Sequence, residues 1–152
     1  MDARNIKYLA FGGGGNRGIA YGAAIHEWIQ LTKYNALLLL KGCVGTSIGA
    51  LFAAAMVVGL SSDKILSITK KTNLVDIVNV DITNLWSHWG FDNGGSIITW
   101  IEQFIGNQTF EEMYESTGRI LEVVVTNLNT GEAEYFSYKN VPKMKVSQGV
   151  AI

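Results

Sequence analysis

The chain has 152 residues, a formal net charge of −1 from 12 basic and 13 acidic residues, and one cysteine, Cys43. This length predicts a single domain, residues 1–152, that buries a substantial core. The balanced charge, with no basic block, argues against a nucleic-acid partner. One cysteine cannot form an internal disulfide, and the start of the chain lacks the layout of a signal peptide, so we expect a cytoplasmic, reducing location.

The first predicted elements are a strand, a glycine-rich loop and a helix. IKYLAF, at 6–11, reads as a buried strand, and the apolar residues of Ile19–Leu31 recur near a period of 3.6, which indicates a helix. The apolar run ALLLLKGCVG, at 36–45, is typical of a strand covered on both faces, and ALFAAAMVVGL follows it as a helix. The first 60 residues therefore predict strand, loop and helix twice.

The uncharged stretch Cys43–Leu60 is about as long as the roughly 18-residue minimum for a membrane span. Glycines and hydroxyl residues crowd its first part, which favours a turn there. The apolar remainder is too short to span a bilayer, so we interpret it as a buried core helix and expect no transmembrane segment.

The second half of the chain predicts more helices and a hairpin. A serine, Ser61 or Ser62, can cap a helix through DKILSITKK, and Thr109 with Glu112 has the spacing of a capping box. RILEVVVTNL reads as a strand that turns at 129–131 into EAEYFSY. Strands that alternate with helices predict an α/β fold with a mostly parallel sheet and one antiparallel hairpin.

The glycine loop has two possible nucleotide-binding interpretations. A phosphate-binding P-loop needs Lys-Ser/Thr after its last glycine, but Ile19 follows Gly18. A dinucleotide site needs G-x-G-x-x-G, which Gly13, Gly15 and Gly18 match, and an acidic residue about 20 positions later. No acidic residue lies at 28–62, so a Rossmann-type domain remains only a less favoured alternative.

The third interpretation is an oxyanion hole, made of glycine N–H groups that face the oxygen of an attacked acyl carbonyl. It needs a nucleophile nearby, and the G-x-S-x-G sequence of Gly45–Gly49 places Ser47 between a predicted strand and helix. Because ligands bind at the carboxyl edge of parallel strands, the two loops are expected to face each other. The alternative is a pair of ordinary tight turns, with Ser47 capping a helix.

These two motifs resemble those of the patatin-like phospholipases, whose characteristic sequence motifs are G-G-G-x-R-G, G-x-S-x-G and a later D-G-G or D-G-A. The resemblance covers nearly the whole chain. It implies a three-layer α/β sandwich around a mostly parallel sheet, and a serine acyl hydrolase that cleaves the ester bonds of phospholipids or related lipids. It implies a Ser-Asp dyad, no metal and no cofactor, with lipid as the partner and peripheral contact with a membrane.

The resemblance also implies a role for each matched residue. Ser47 is the nucleophile, and the oxyanion hole is formed by Gly13, Gly14 and Gly15. The loop is supported by Arg17 and Gly18, and the nucleophile elbow consists of Gly45, Thr46, Ile48 and Gly49.

No D-G-G or D-G-A occurs in this sequence, so the catalytic Asp is expected beyond Ile152 and the chain is interpreted as an incomplete domain. On that interpretation the 152 residues alone are inactive. The alternative function is a catalytically inactive, lipid-binding patatin-like module.

Other noticeable residues have ordinary interpretations. His26 and His88 are expected to be structural, Asp92 to be a loop residue, and Cys43 to be a small buried hydrophobe. The aromatic residues are either core or a lipid-facing surface: Trp86, Trp89, Phe91 and Trp100.

Overall fold

The computed structural model of the chain describes residues 5–33, 35–71 and 95–152. Its strands are β1 (Tyr8–Phe11), β2 (Gly42–Gly45), β3 (Ile120–Thr126) and β4 (Ala133–Phe136). Its helices are α1 (Ile19–Leu31), α2 (Asn35–Leu39), α3 (Ile48–Val58), α4 (Ser62–Lys71), α5 (Gly95–Ile105), α6 (Phe110–Thr117) and α7 (Val146–Ala151), with a 3-10 turn at Gly15–Gly18.

The four strands form one sheet in the order β1-β2-β3-β4. The first three are parallel, with Phe11 level with Gly45 and Gly45 level with Val123, and β4 returns antiparallel to β3. The predicted α/β fold with a mostly parallel sheet and a hairpin is confirmed. Because β1 and β2 end at the same level, the glycine loop and the G-x-S-x-G turn leave the sheet at the same edge.

Helix α3 is the centre of the core, and every residue from Gly49 to Val57 in it is buried. It packs across β1, β2 and β3, and Gly59 ends it in a left-handed conformation, with φ of 79°. The interpretation of Cys43–Leu60 as a turn followed by a buried core helix is confirmed. Among the helices that the structure describes, none is long and apolar enough to cross a membrane.

The two faces of the sheet have different surroundings. Phe11 and Val123 point to the α3 side and are buried, whereas Tyr8 and Tyr135 on the other face are exposed. Among the described helices, α3 has the most contact with the sheet. The second helical layer of a three-layer sandwich is not evident among the described residues and stays a prediction.

One predicted element is wrong. The apolar run at 36–45 is not a continuous strand, because Asn35–Leu39 forms α2 and only Gly42–Gly45 pairs in the sheet. Alanine and leucine are strong helix formers, and the run has no β-branched residue before Val44. Strand pairing is therefore limited to four residues.

The predicted capping box at the start of α6 is confirmed. The Glu112 backbone N–H donates to Thr109 Oγ1 at 3.2 Å, and the Thr109 N–H donates to Glu112 Oε2 at 2.8 Å. Hydrogen bonds from the Thr109 backbone N–H and, second, from its side chain lower the pKa of the Glu112 carboxyl, because they favour its charged form. Ser61 likewise precedes α4, and its Oγ accepts from the Lys64 N–H at 3.4 Å.

Candidate active site

Ser47 occupies a strained turn between β2 and α3. Its φ and ψ are 54° and −132°, a region that side-chain-bearing residues rarely adopt. Such a conformation costs about 1–3 kcal/mol and persists only where the surrounding structure imposes it. A strained, exposed serine between a strand and a helix is the geometry of a nucleophile elbow.

The two glycines that flank Ser47 allow this turn by their lack of a side chain. A Cβ on Gly45 would lie 2.6 Å from the Ala50 nitrogen, and a Cβ on Gly49 would lie 2.5 Å from the carbonyl oxygen of Gly12. Both neighbours are backbone atoms, which cannot rotate away. The G-x-S-x-G spacing is therefore a packing requirement that presses the start of α3 against the end of β1.

The side chain of Ser47 takes no part in capping α3. Ser47 stands at the N-cap position, but its side chain makes no capping hydrogen bond. The residue is exposed, and its hydroxyl has no hydrogen-bond partner among the described residues. Its Oγ is consequently free to meet a ligand.

The glycine loop lies beside the elbow. The Thr46 N–H donates to the Phe11 carbonyl at 3.2 Å, and a Cβ on Gly13 would lie 3.6 Å from the Cβ of Ser47. A Cβ on Gly18 would lie 2.6 Å from the Ile48 side chain, so the loop is packed tightly on both sides of the serine. The structure thus brings together the two motifs that the sequence singled out.

Internal hydrogen bonds of the loop leave its first N–H groups unused. The Tyr21 hydroxyl donates to the Gly12 carbonyl at 3.1 Å, and the Arg17 N–H donates to the Gly14 carbonyl at 3.1 Å. Within the described part of the chain, the N–H groups of Gly13 and Gly14 donate to no protein acceptor. Arg17 is exposed, and its position is consistent with loop support only through its backbone.

A pocket of about 470 Å³ opens next to Ser47. Gly15, Thr46, Ser47 and Ile48 line one side of it. The other walls are mostly apolar and come from α3, α5, β3 and α7: Leu51, Ile97, Trp100, Ile101, Val123, Val124, Val125, Val150 and Ala151. A pocket of this size and apolar character suits an acyl chain or another apolar ligand.

The walls from α5, β3 and α7 were missed from the sequence. Trp100 stood out there only as one of four aromatic residues. The structure places it half-buried in the pocket wall, in an edge-to-face contact with Phe104 that has 4.9 Å between ring centroids. The apolar alternation of β3 was visible, but nothing local indicated that its end would border Ser47. Trp86, Trp89 and Phe91 lie outside the described residues.

No Asp, Glu or His side chain lines this pocket in the part of the chain that the structure describes. His26 lies on α1 with its Nδ1 3.7 Å from Asp63 Oδ1 on α4, so it belongs to the contact between those helices, as predicted. His88 and Asp92 lie outside the described residues. Among the residues that the structure describes, no cluster of metal-ligating side chains is found.

Cys43 is a buried hydrophobe, as predicted. Burial raises the pKa of its thiol to about 12, an effect that the positive charge of Arg119 partly offsets. The thiol therefore stays protonated at neutral pH and is a poor nucleophile.

Comparison with known proteins identifies the family. The family model described as patatin-like phospholipase matches residues 9–152, so this chain belongs to the patatin-like phospholipase family. An uncharacterized protein of Acanthamoeba polyphaga mimivirus is 28% identical over 150 residues, which cover 95% of this chain and 50% of that protein.

Solved structures show the same fold. ExoU of the Pseudomonas aeruginosa type III secretion system, in complex with SpcU, matches with a TM-score of 0.70 at 15% identity over 97% of this chain and 38% of its own. VipD of Legionella pneumophila matches with a TM-score of 0.67 at 16% identity, over 97% of this chain and 42% of its own. The chain spans half or less of the length of these relatives.

Proposed function

We propose that this chain supplies the nucleophile and the oxyanion hole of a lipid acyl hydrolase that cleaves carboxylic ester bonds of phospholipids or related lipids. The observation that carries the proposal is the strained, exposed Ser47, which lies between a glycine loop and an apolar pocket of about 470 Å³. Membership of the patatin-like phospholipase family supports the same chemistry.

In the proposed reaction, Ser47 Oγ attacks the ester carbonyl and the carbonyl oxygen becomes negative. The N–H groups of Gly13, Gly14 and Gly15 would donate to that oxygen, and each such donor is worth about 100- to 1,000-fold in turnover. The alcohol leaves with a proton, and water then hydrolyses the acyl-serine ester. Support comes from the proximity of Gly13 to Ser47 and from the unused N–H groups of the loop.

The proposed proton acceptor for Ser47 is the Asp of a D-G-G or D-G-A segment beyond Ile152. General-base help of this kind is worth about 100- to 10,000-fold. The described pocket walls contribute no carboxylate, which is consistent with a base from another segment.

The same observation favours a second candidate, an inactive lipid-binding module that keeps the pocket and the glycine loop but lacks a base. We reject the dinucleotide-binding domain as a function, because the chain belongs to the patatin-like phospholipase family. The sequence also pairs the glycine loop with Ser47 and lacks the acidic residue that a dinucleotide site needs.

Ester hydrolysis by the Ser47→Ala variant separates the two candidates. In a protein that includes the proposed Asp segment, we expect Ser47→Ala to abolish turnover of a p-nitrophenyl ester while the circular dichroism spectrum is unchanged. Ser116→Ala, at an exposed serine of α6 that is not part of the pocket lining, is the matched control and should retain turnover. Equal turnover in the parent and Ser47→Ala proteins would favour the binding module.

A further inference from the structure

The pocket wall continues from β3 into the turn of the hairpin. Because Gly45 ends β2 level with Val123, the next three residues of β3 extend past the elbow by about 10 Å, at about 3.3 Å per residue. Val124, Val125 and Thr126 line the pocket, and Leu128 lines it too although its side chain is 92% exposed. Leu128 therefore lies at the mouth of the pocket.

Hydrogen bonds fix the turn that carries Leu128. Asn127 Oδ1 accepts from the N–H groups of Asn129 and Thr130, at 2.9 and 3.4 Å. The Gly131 N–H donates to the Asn127 carbonyl at 2.7 Å, and the Asn127 N–H donates to the Glu132 carbonyl at 2.9 Å. Bonds on both sides of Leu128 fix the backbone of the turn, from which its side chain extends into solvent.

Single exposed leucines are common on protein surfaces, so exposure alone indicates nothing. Leu128 differs in two respects. It is the one apolar residue in the sequence 127–131, and it is continuous with the apolar wall of the pocket beside Ser47. A lipid that leaves an aggregate for this pocket would pass Leu128.

We propose that Leu128 inserts into the surface of a lipid aggregate with neutral headgroups and holds the mouth of the pocket against it. This inference rests on the proposed function, which makes lipid the substrate. The charge near the turn selects the headgroup, because residues 127–136 include Glu132 and Glu134 and no lysine or arginine. Anionic headgroups would be repelled there.

Co-sedimentation with phosphatidylcholine vesicles tests this contact. All variants are made in the Ser47→Ala background, so that no turnover alters the vesicles. We expect Leu128→Asp to lower the vesicle association constant by about tenfold or more, the scale of losing one buried leucine side chain. Leu128→Phe should bind at least as tightly as the parent, and this variant keeps the test valid if the charged one fails to fold.

Leu38→Asp is the matched control. Leu38 is 82% exposed on α2, at the opposite edge of the sheet and away from the pocket beside Ser47, so its substitution should leave vesicle association unchanged. The proposal is overturned if the parent protein does not bind the vesicles, if Leu128→Asp binds like the parent, or if Leu38→Asp loses as much. Binding that appears only with added phosphatidylglycerol would also overturn it.

The vesicle measurement needs no turnover and is therefore independent of the proposed nucleophile. Ester hydrolysis that persists in Ser47→Ala would overturn the proposed function, whereas the effect of Leu128→Asp on binding would still decide the role of the turn.

Discussion

Gly13 lies against Ser47, close enough that a Cβ on the glycine would be 3.6 Å from the Cβ of the serine. The contact joins two loops that are 34 positions apart and that leave neighbouring parallel strands at the same edge. It places a free backbone N–H beside an exposed hydroxyl, and the proposed acyl transfer needs both groups at one carbonyl.

The strain at Ser47 predicts an unusual order of stability. Ser47→Ala keeps the unfavourable φ of 54°, whereas Ser47→Gly relieves it. After the entropic cost of glycine, about 0.5–1 kcal/mol, the Gly variant should exceed the Ala variant by about 1 kcal/mol in free energy of unfolding. Urea denaturation measures the difference.

Ala23→Gly is the control for that comparison. Ala23 is exposed in the middle of α1, where glycine should lower the free energy of unfolding by about 1 kcal/mol. A Ser47→Gly variant that loses as much, relative to Ser47→Ala, would mean that the turn is not strained.

Gly49 and Gly13 should respond differently to alanine. A Cβ on Gly49 would lie 2.5 Å from the Gly12 carbonyl oxygen, so Gly49→Ala must push β1 and α3 apart, at a cost of about 1–3 kcal/mol or more. Gly13→Ala meets ordinary contact distances, and its effect on stability should stay within about 0.5 kcal/mol. Thermal denaturation of both variants tests this, and equal losses would contradict the described packing of the elbow.

The buried thiol of Cys43 should make stability fall in alkali. Its pKa is raised to about 12 in the fold, from about 9, so between these values the unfolded chain ionises while the folded chain does not. The free energy of unfolding should therefore decrease as pH rises through this window, by up to about 1.4 kcal/mol per unit from this group.

Cys43→Ala isolates the thiol from the lysines and tyrosines that titrate at similar pH. The variant should show a shallower loss of stability between pH 9 and 11 than the parent. Identical slopes would mean that the thiol is not protected by burial, and rapid alkylation of the folded protein at pH 8 would lead to the same conclusion.

One hydrogen bond links two walls of the pocket. Ser147, fully buried on α7, donates its hydroxyl to Glu102 Oε1 on α5 at 3.0 Å. We expect Ser147→Ala to cost about 1–3 kcal/mol, and we expect the double variant with Glu102→Ala to lose less stability than the sum of the two single losses. Additive losses in urea denaturation would show that the two side chains do not act together.

The sequence was sufficient for the elements that obey local rules. The G-x-S-x-G turn, the capping box at Thr109 and the hairpin all depend on residues close in sequence, and the structure has them where they were predicted. The strand expected at 36–45 failed because a run of alanine and leucine is equally compatible with a buried strand and a short helix.

The pocket could not be predicted in the same way. Its walls include Leu51, Trp100, Val125 and Val150, which are brought together by four separate elements. An apolar residue has the same local signal in a core and in a ligand pocket, so only the tertiary arrangement distinguishes them. The contact of Arg119 could not be predicted for the same reason. Its Nη2 donates to the Leu37 carbonyl at 2.9 Å, and the two residues are 82 positions apart in the sequence.

The proposed position of the base predicts that the 152 residues alone hydrolyse p-nitrophenyl esters at nearly the rate of their Ser47→Ala variant. An unassisted serine hydroxyl is almost wholly protonated at neutral pH and is a weak nucleophile. Strong Ser47-dependent turnover by this chain alone would place the base inside it, and Asp92→Asn would then be the first variant to measure.

The central claim, that Ser47 is the nucleophile of an acyl hydrolase, is tested most directly by p-nitrophenyl ester hydrolysis in the chain extended through a D-G-G or D-G-A segment. The account predicts that the extended protein exceeds its own Ser47→Ala variant by at least about 100-fold, the lower range of general-base help. Equal rates for the two proteins, with both correctly folded, would contradict it.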